Sequence, residues 1–167
     1  MLCFSSRPCI FCDVRKENGF NIVSENNHFI AFKDRAPAAS EHILVITREH
    51  IDSVKSLQSD DVELVNAMRS FGEEALTTVG ASPHHRKFGF HIPPFTSVQH
   101  IHLHCFGLPF KSTIHKWEFL TSERQNGTKG FSWFAEVSQV MRTLEQGRRV
   151  QVLPERKPFS HVTSTNS

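Results

Sequence analysis

The sequence predicts an α+β fold with a mainly antiparallel sheet of about five strands and two main helices. Three observations lead there. Short β-rich segments come in hairpin-spaced groups, one long helical pattern stands between them, and a second follows them.

Taken in order, FNIVSE (20–25) and HFIAFKD (28–34) read as two short strands, with the polar Glu25, Asn26 and Asn27 suited to the turn between them. Pro37, among small residues, breaks the chain before HILVIT (42–47). That run is so apolar and β-branched that it fits a central strand covered on both faces. SDDVELVNAMRSFGEEALTTVG (59–80) reads as a long helix: Asp60 and Glu63 form a capping box, Leu64, Met68, Phe71, Ala75 and Val79 make one apolar face, and Gly80 stops it. FGFHI (88–92) and SVQHIHLHCF (97–106) are two more strands, separated by two prolines. Phe131, Phe134, Val137, Met141 and Leu144 predict a second amphipathic helix over about 131–146, ended by Gly147. One domain is expected over 1–147, with its motifs in 8–108. The polar, proline-punctuated 148–167 is expected to be a flexible tail.

With 167 residues, 38% hydrophobic and 22% charged, the chain is long and apolar enough to bury a core. A net charge of +2 is too small to imply a nucleic-acid partner, which takes a concentrated basic face. No apolar run reaches membrane-span length, so no membrane partner is expected. The first residues lack the apolar stretch of a secretory signal. Four cysteines without such a signal point to reduced thiols and a cytoplasmic or nuclear location.

The chemistry concentrates in HIHLH. In a strand His100, His102 and His104 share one face, with neighbours roughly 6–7 Å apart, while Ile101 and Leu103 point into apolar packing. Three imidazoles in register inside an apolar strand are costly unless they work. Histidine serves as nucleophile, proton carrier or metal ligand near neutral pH. Ser97 stands close enough in the chain to help hold an anion. Cys9 and Cys12, two residues apart, have the spacing of half a zinc site that two distant histidines could complete; thiols packed together are the alternative.

HIHLHCF resembles the His-x-His-x-His signature of the histidine triad (HIT) superfamily of nucleotide hydrolases and transferases. CIFCDV (9–14), FIAFKDRAPAASEHILVITREHI (29–51) and FGFHIPPFTSVQHIHLH (88–104) extend the resemblance to Hint-type nucleotide-binding proteins. GFHIPPFTS and the later SWF look most like the third Hint subfamily, the adenosine 5′-monophosphoramidases. The resemblance implies a HIT-like fold and a hydrolase. It would cleave the P–N bond of adenosine 5′-monophosphoramidate and related purine nucleoside phosphoramidates, or act on aminoacyl-adenylates, releasing AMP through a nucleotidyl-histidine. It implies His102 as nucleophile, supported by His100, His104 and His42. Ile10, Phe11, Val14 and Phe32 would line the base pocket, Asp34 would accept the ribose hydroxyls, Arg35 would lie at the nucleotide edge, and Thr96 and Ser97 would meet phosphate together with His102 and His104. No cofactor is implied for the chemistry. A structural zinc on Cys9, Cys12, His50 and His100 is implied by some HIT relatives, and a homodimer through the long helix and an adjoining strand by Hint proteins.

Other readings of the same motifs are an aprataxin-like DNA 5′-adenylate hydrolase, a dinucleoside polyphosphate hydrolase and a nucleotide-binding scaffold. The chain departs from close Hint relatives after the triad, where HKWEFLTSERQNGTKGFSWF (115–134) replaces their short C-terminal stretch and leaves the leaving-group side open. His91, in the segment feeding the triad, receives no role from sequence.

Overall fold

Asn26 closes the first hairpin: its Oδ1 accepts the backbone N–H groups of His28 and Phe29, both at 2.8 Å. The computed structural model, which describes residues 9–124 and 127–153, continues from this hairpin into one antiparallel sheet. Its strands are β1 (Ile22–Glu25), β2 (Phe29–Lys33), β3 (Ala39–Thr47), β4 (Arg86–His91), β5 (His102–Phe110) and β6 (Phe134–Glu136). Their order is β1-β2-β3-β5-β4-β6. The α+β class and antiparallel sheet are as expected; the strand count is six rather than about five.

β3 shows why HILVIT reads as continuously apolar. Ile43 and Val45 enter the main core with α1 (Val62–Thr78), whereas Leu44 and Ile46 enter a second cluster with Phe11, Val14, Ile30 and Phe32. The strand begins three residues earlier than expected, because Ala38 and Ala39 are small enough to pack under Phe106, Phe119 and Phe134.

The long helix needs two corrections. Residues Ser59–Asp61 form a tight 3-10 turn before it, and the capping box is made by Gln58 and Asp61, not Asp60 and Glu63. Its fully buried stripe is Val65, Met68, Phe71, Gly72, Ala75 and Leu76, while Leu64 and Val79 are only partly buried. Gly72 lets the helix lie close on β5, since a Cβ there would come 2.5 Å from Cys105 Sγ. Gly80, at φ +80°, ends the helix as expected: Ala81 N–H reaches the Leu76 carbonyl and Gly80 N–H the Thr77 carbonyl.

The second helix is shorter than its pattern. Phe131 is exposed, and Phe134 and Ala135 belong to β6; α3 (Val137–Glu145) starts only after Glu136 and Gln139 form a reciprocal cap. The threefold spacing from Phe131 to Val137 crosses a strand and a helix. Between β5 and β6 lies a short helix α2 (Thr113–Glu118), with Ser112 Oγ accepting from His115 N–H. Packing also continues past Gly147: Val150 is 1% exposed in the main core. The expected flexible tail beyond 153 lies outside the described residues.

β6 pairs with the edge of β4 that a five-stranded sheet would leave free, and α3 packs on α1. Gly89 permits this, because a Cβ there would come 2.4 Å from the Phe134 ring. No helix among the described residues is long and apolar enough to cross a membrane.

Candidate active site

Antiparallel pairing puts opposed residues on the same face. His102 lies opposite Ile46, His104 opposite Leu44, Phe106 opposite His42, and Gly89 opposite His104. One face of the sheet therefore carries His42, His102 and His104, and through β4 it also carries His91. His100 is not on the strand. β5 begins at His102, and Ile101 N–H bonds the Ile51 carbonyl at 2.6 Å instead of a sheet neighbour. The three histidines are thus two on a strand and one in the bend before it.

The bend is what orients His102. Its Nδ1–H donates to the His100 carbonyl at 2.7 Å. That bond leaves Nε2 unprotonated, and among the described residues Nε2 has no hydrogen-bond partner. The ring stands edge-on to Phe11 at 5.5 Å and is 7% exposed. Burial pulls its pKa down to about 4, so at neutral pH it is an uncharged imidazole with a free lone pair. Such a nitrogen can attack phosphorus without first losing a proton.

Beside it, His104 Nδ1 lies 2.9 Å from His42 Nε2, and His42 Nδ1 accepts the backbone N–H of Ala38 at 3.2 Å. Burial lowers His42 to about 3 and holds His104 well below the ordinary histidine range. His91 sits 3.3 Å from the other side of His104 and is lowered in the same direction by burial. Sequence reading passed over His91. The only signal available was its place in FGFHI, which becomes informative once the β4–β5 register is known.

An open cleft has Phe11 as one wall, and the Phe11 ring stands edge-on to His102. The cleft brings together Ile10, Phe11, Phe32, Asp34, Arg35 and Ser97, and adds Phe20, Leu44 and Val98, which sequence reading did not assign. Phe11, Phe20 and Phe32 stack edge to face along one side, and the Arg35 guanidinium lies over Phe20 at 5.3 Å. Val14 does not line the cleft; it is buried behind it with Phe11. Thr96 borders a separate small cavity with His91, His100 and His102. Asp34 serves two ends. Its Oδ1 accepts the Ala36 N–H at 2.7 Å and shapes the turn, while Oδ2 lies 3.7 Å from His42 Nε2. Burial raises its carboxyl pKa.

Cys9 Sγ, Cys12 Sγ, His50 Nδ1 and His100 Nδ1 converge on the far side of His100, all within 4.8 Å of one another. The sulfur–nitrogen separations are 3.2 Å for Cys12–His50, 3.5 Å for Cys9–His100 and 3.6 Å for Cys12–His100. A tetrahedral zinc with Zn–S of about 2.3 Å and Zn–N of about 2.0–2.1 Å spaces S and N donors about 3.5 Å apart. The outer nitrogens are also occupied as ligation requires: His100 Nε2–H donates to the Thr47 carbonyl at 2.8 Å, and His50 Nε2–H to Asp52 Oδ1 at 3.0 Å. The donor set fits the ion.

Burial of so many imidazoles has a consequence for stability. Unfolded histidines gain protons below about pH 6.5, whereas burial holds His42 (about 3) and His102 (about 4) neutral in the fold and lowers His91 and His104 in the same direction. The unfolded chain then binds more protons, so stability is full above pH 6.5 and falls as pH drops toward 4. His42 and His102 each cost about 1.4 kcal/mol per pH unit in that window. Urea melts in chelator should therefore show a midpoint falling steeply from pH 7 to pH 5; a flat midpoint would contradict the burial assignment.

Three comparisons place the chain. Residues 8–118 match the family described as scavenger mRNA decapping enzyme C-term binding. It is 40% identical to the bifunctional adenosine 5′-phosphosulfate phosphorylase/adenylylsulfatase HINT4 of Arabidopsis thaliana, over 75% of this chain and 86% of that protein. It is 32% identical to the adenosine 5′-monophosphoramidase HINT3 of Danio rerio, over 87% and 88% of the two chains. Among solved structures it is similar to a HIT family hydrolase from Legionella pneumophila, with a TM-score of 0.56 and 27% identity over 63% of this chain and 96% of that one. With its motifs, its sheet and these relatives in agreement, the chain belongs to the histidine triad superfamily and, within it, to the Hint-type proteins.

Proposed function

We propose that the protein hydrolyses the P–N bond of adenosine 5′-monophosphoramidate and related purine nucleoside phosphoramidates, or by the same attack the P–O bond of aminoacyl-adenylates. The observation that carries this is the His102 ring, fixed through Nδ1 on the His100 carbonyl and standing edge-on to Phe11, a wall of the cleft. Nε2 attacks the α-phosphorus, the P–N bond breaks, and the amine leaves with a proton taken from solvent, which is returned when water attacks in the second step. The nucleotidyl-imidazole keeps its Nδ1–H, whose bond to the carbonyl strengthens as the ring becomes positive. Water then attacks phosphorus, the P–Nε2 bond breaks, and AMP departs. The aromatic walls of Phe11, Phe20 and Phe32 suit a purine, and the Oδ2 of Asp34 suits the ribose hydroxyls.

The Cys9, Cys12, His50 and His100 set is proposed to hold zinc in a closed structural site. With four protein ligands the ion has no open position for substrate. It would tie the N-terminal segment to the bend that supplies the His100 carbonyl. The homodimer through the long helix and an adjoining strand stays a proposal drawn from Hint-type proteins; in this chain β6 covers the outer edge of β4.

The Arabidopsis relative's name adds a second reading, in which sulfate rather than an amine leaves from the same phosphorus. The test is a panel of a fluorogenic adenosine phosphoramidate, adenosine 5′-phosphosulfate, a dinucleoside polyphosphate and 5′-adenylated DNA. The highest kcat/KM is expected on the phosphoramidate. Turnover confined to the adenylated DNA would replace this reading, and none on any member would leave a binding module.

A further inference from the structure

His91 ends a hydrogen-bond chain whose direction is forced. At one end the backbone N–H of Ala38 can only donate, and it meets His42 Nδ1 at 3.2 Å. At the other end the Glu118 carbonyl can only accept, and it lies 3.2 Å from His91 Nε2. Between them His42 Nε2 meets His104 Nδ1 at 2.9 Å, and His104 Nε2 meets His91 Nδ1 at 3.3 Å. A neutral imidazole has one donor and one acceptor. Three neutral imidazoles between a fixed donor and a fixed acceptor admit one arrangement: every ring carries its proton on Nε2. A second proton on any ring would set two donors against each other at one of these contacts.

His42 and His104 are buried, and the His91 end of the chain is partly exposed. His91 packs on Phe119 at 4.9 Å and Phe134 at 5.2 Å, and His104 lies 5.1 Å from His102. The accepting carbonyl is itself held in place, because Trp133 Nε1–H donates to it at 2.9 Å. Glu118, Phe119, Trp133 and Phe134 all come from the stretch after β5 where the sequence departs from close Hint relatives.

We propose that His91 is a positioning residue for the hydrolysis. Anchored on the Glu118 carbonyl, it holds His104 as the Nε2–H tautomer, in a fixed orientation beside His102. The catalytic part of this rests on the phosphoramidase reading above, whereas the tautomer part does not. Through Glu118 the post-triad stretch becomes part of the apparatus that sets His104.

The experiment uses the full chain with His91→Gln and His91→Phe. Glutamine keeps an acceptor oxygen and a donor nitrogen but carries no titratable proton; phenylalanine keeps the ring and loses both bonds. Long-range ¹⁵N–¹H spectra at neutral pH read the histidine tautomers without substrate. They should show His104 as a single Nε2–H form in the wild type and in His91→Gln, and as a mixture in His91→Phe. On the phosphoramidate, kcat should stay within about threefold in His91→Gln. It should fall by roughly tenfold or more in His91→Phe, as expected for two lost hydrogen bonds, with KM little changed.

A wild-type His104 that exchanges between tautomers overturns the proposal even if His91→Phe fails to fold. A folded His91→Phe with wild-type kcat and a single His104 tautomer makes His91 packing alone. Equal loss in both variants with the His104 tautomer intact means the imidazole itself must carry a proton, which also overturns a positioning role. Wild-type protein that lacks phosphoramidate turnover but shows the single tautomer sinks the function and spares the hydrogen-bond chain.

Discussion

Replacing His102 with alanine is expected to lower phosphoramidate turnover about 10⁴-fold or more, while AMP binding changes only a few-fold. The separation follows from where the side chain acts. Affinity is assigned to the cleft of Phe11, Phe20, Phe32 and Asp34, which the substitution leaves in place. The lost atom is Nε2, which matters only once the bond to phosphorus begins to form, so the loss falls on kcat. Single-turnover kinetics and calorimetric titration with AMP measure the two parts. Mass spectrometry of mildly alkaline quenches of the wild type should show one nucleotide monophosphate on His102. Near-normal kcat in His102→Ala would remove the covalent mechanism.

Chelation is expected to lower the melting temperature by about 10 °C. Protein purified without chelator should carry about one equivalent of zinc, as a closed four-ligand site requires. An ion bound only by the folded state at a thousandfold excess over its Kd stabilises by about 4 kcal/mol, and a domain of this size shifts by about 2–4 °C per kcal/mol. Cys12→Ser should shed the metal and reproduce the chelated melt. Activity should fall only modestly, because His100 would meet the ion through Nδ1, whereas it meets the nucleophile through its carbonyl. An ion held there would steady the bend without touching His102. Metal-free protein that melts at the same temperature with and without chelator would take zinc out of the account. Activity that tracked zinc occupancy one for one would place the ion in the chemistry instead.

Much of the fold was legible because burial leaves a periodic mark. HILVIT had to be a strand covered on both faces, and the structure sends its odd and even residues into two different clusters. Gly80 and Gly147 could be read as helix stops because both need a left-handed backbone, and both have it. The candidate ligands of the metal and two aromatic residues of the cleft, Phe11 and Phe32, were legible as residue types, though from resemblance more than from pattern; Phe20 was not. What misled was local mimicry. Phe131, Phe134 and Val137 share helical spacing, yet Phe134 is drawn into a strand by the open edge of β4 and the room beside Gly89. Val14 read as a cleft residue because either role leaves it apolar and covered.

By itself, then, the sequence determined that alternating histidines share one face of a strand whose other face packs against apolar residues, and that a long amphipathic helix precedes it. Those are properties of neighbours along the chain, and strand alternation is enough to read them. Tertiary structure alone decided that His100 leaves the strand and turns its carbonyl to His102. It alone joined His42, His104 and His91, residues from three strands, between the Ala38 N–H and the Glu118 carbonyl. The reason is physical: a tautomer is set by which donor or acceptor faces each ring nitrogen, and those partners are brought together by strand register and by the closing of β6 on β4, neither of which is encoded at any single position.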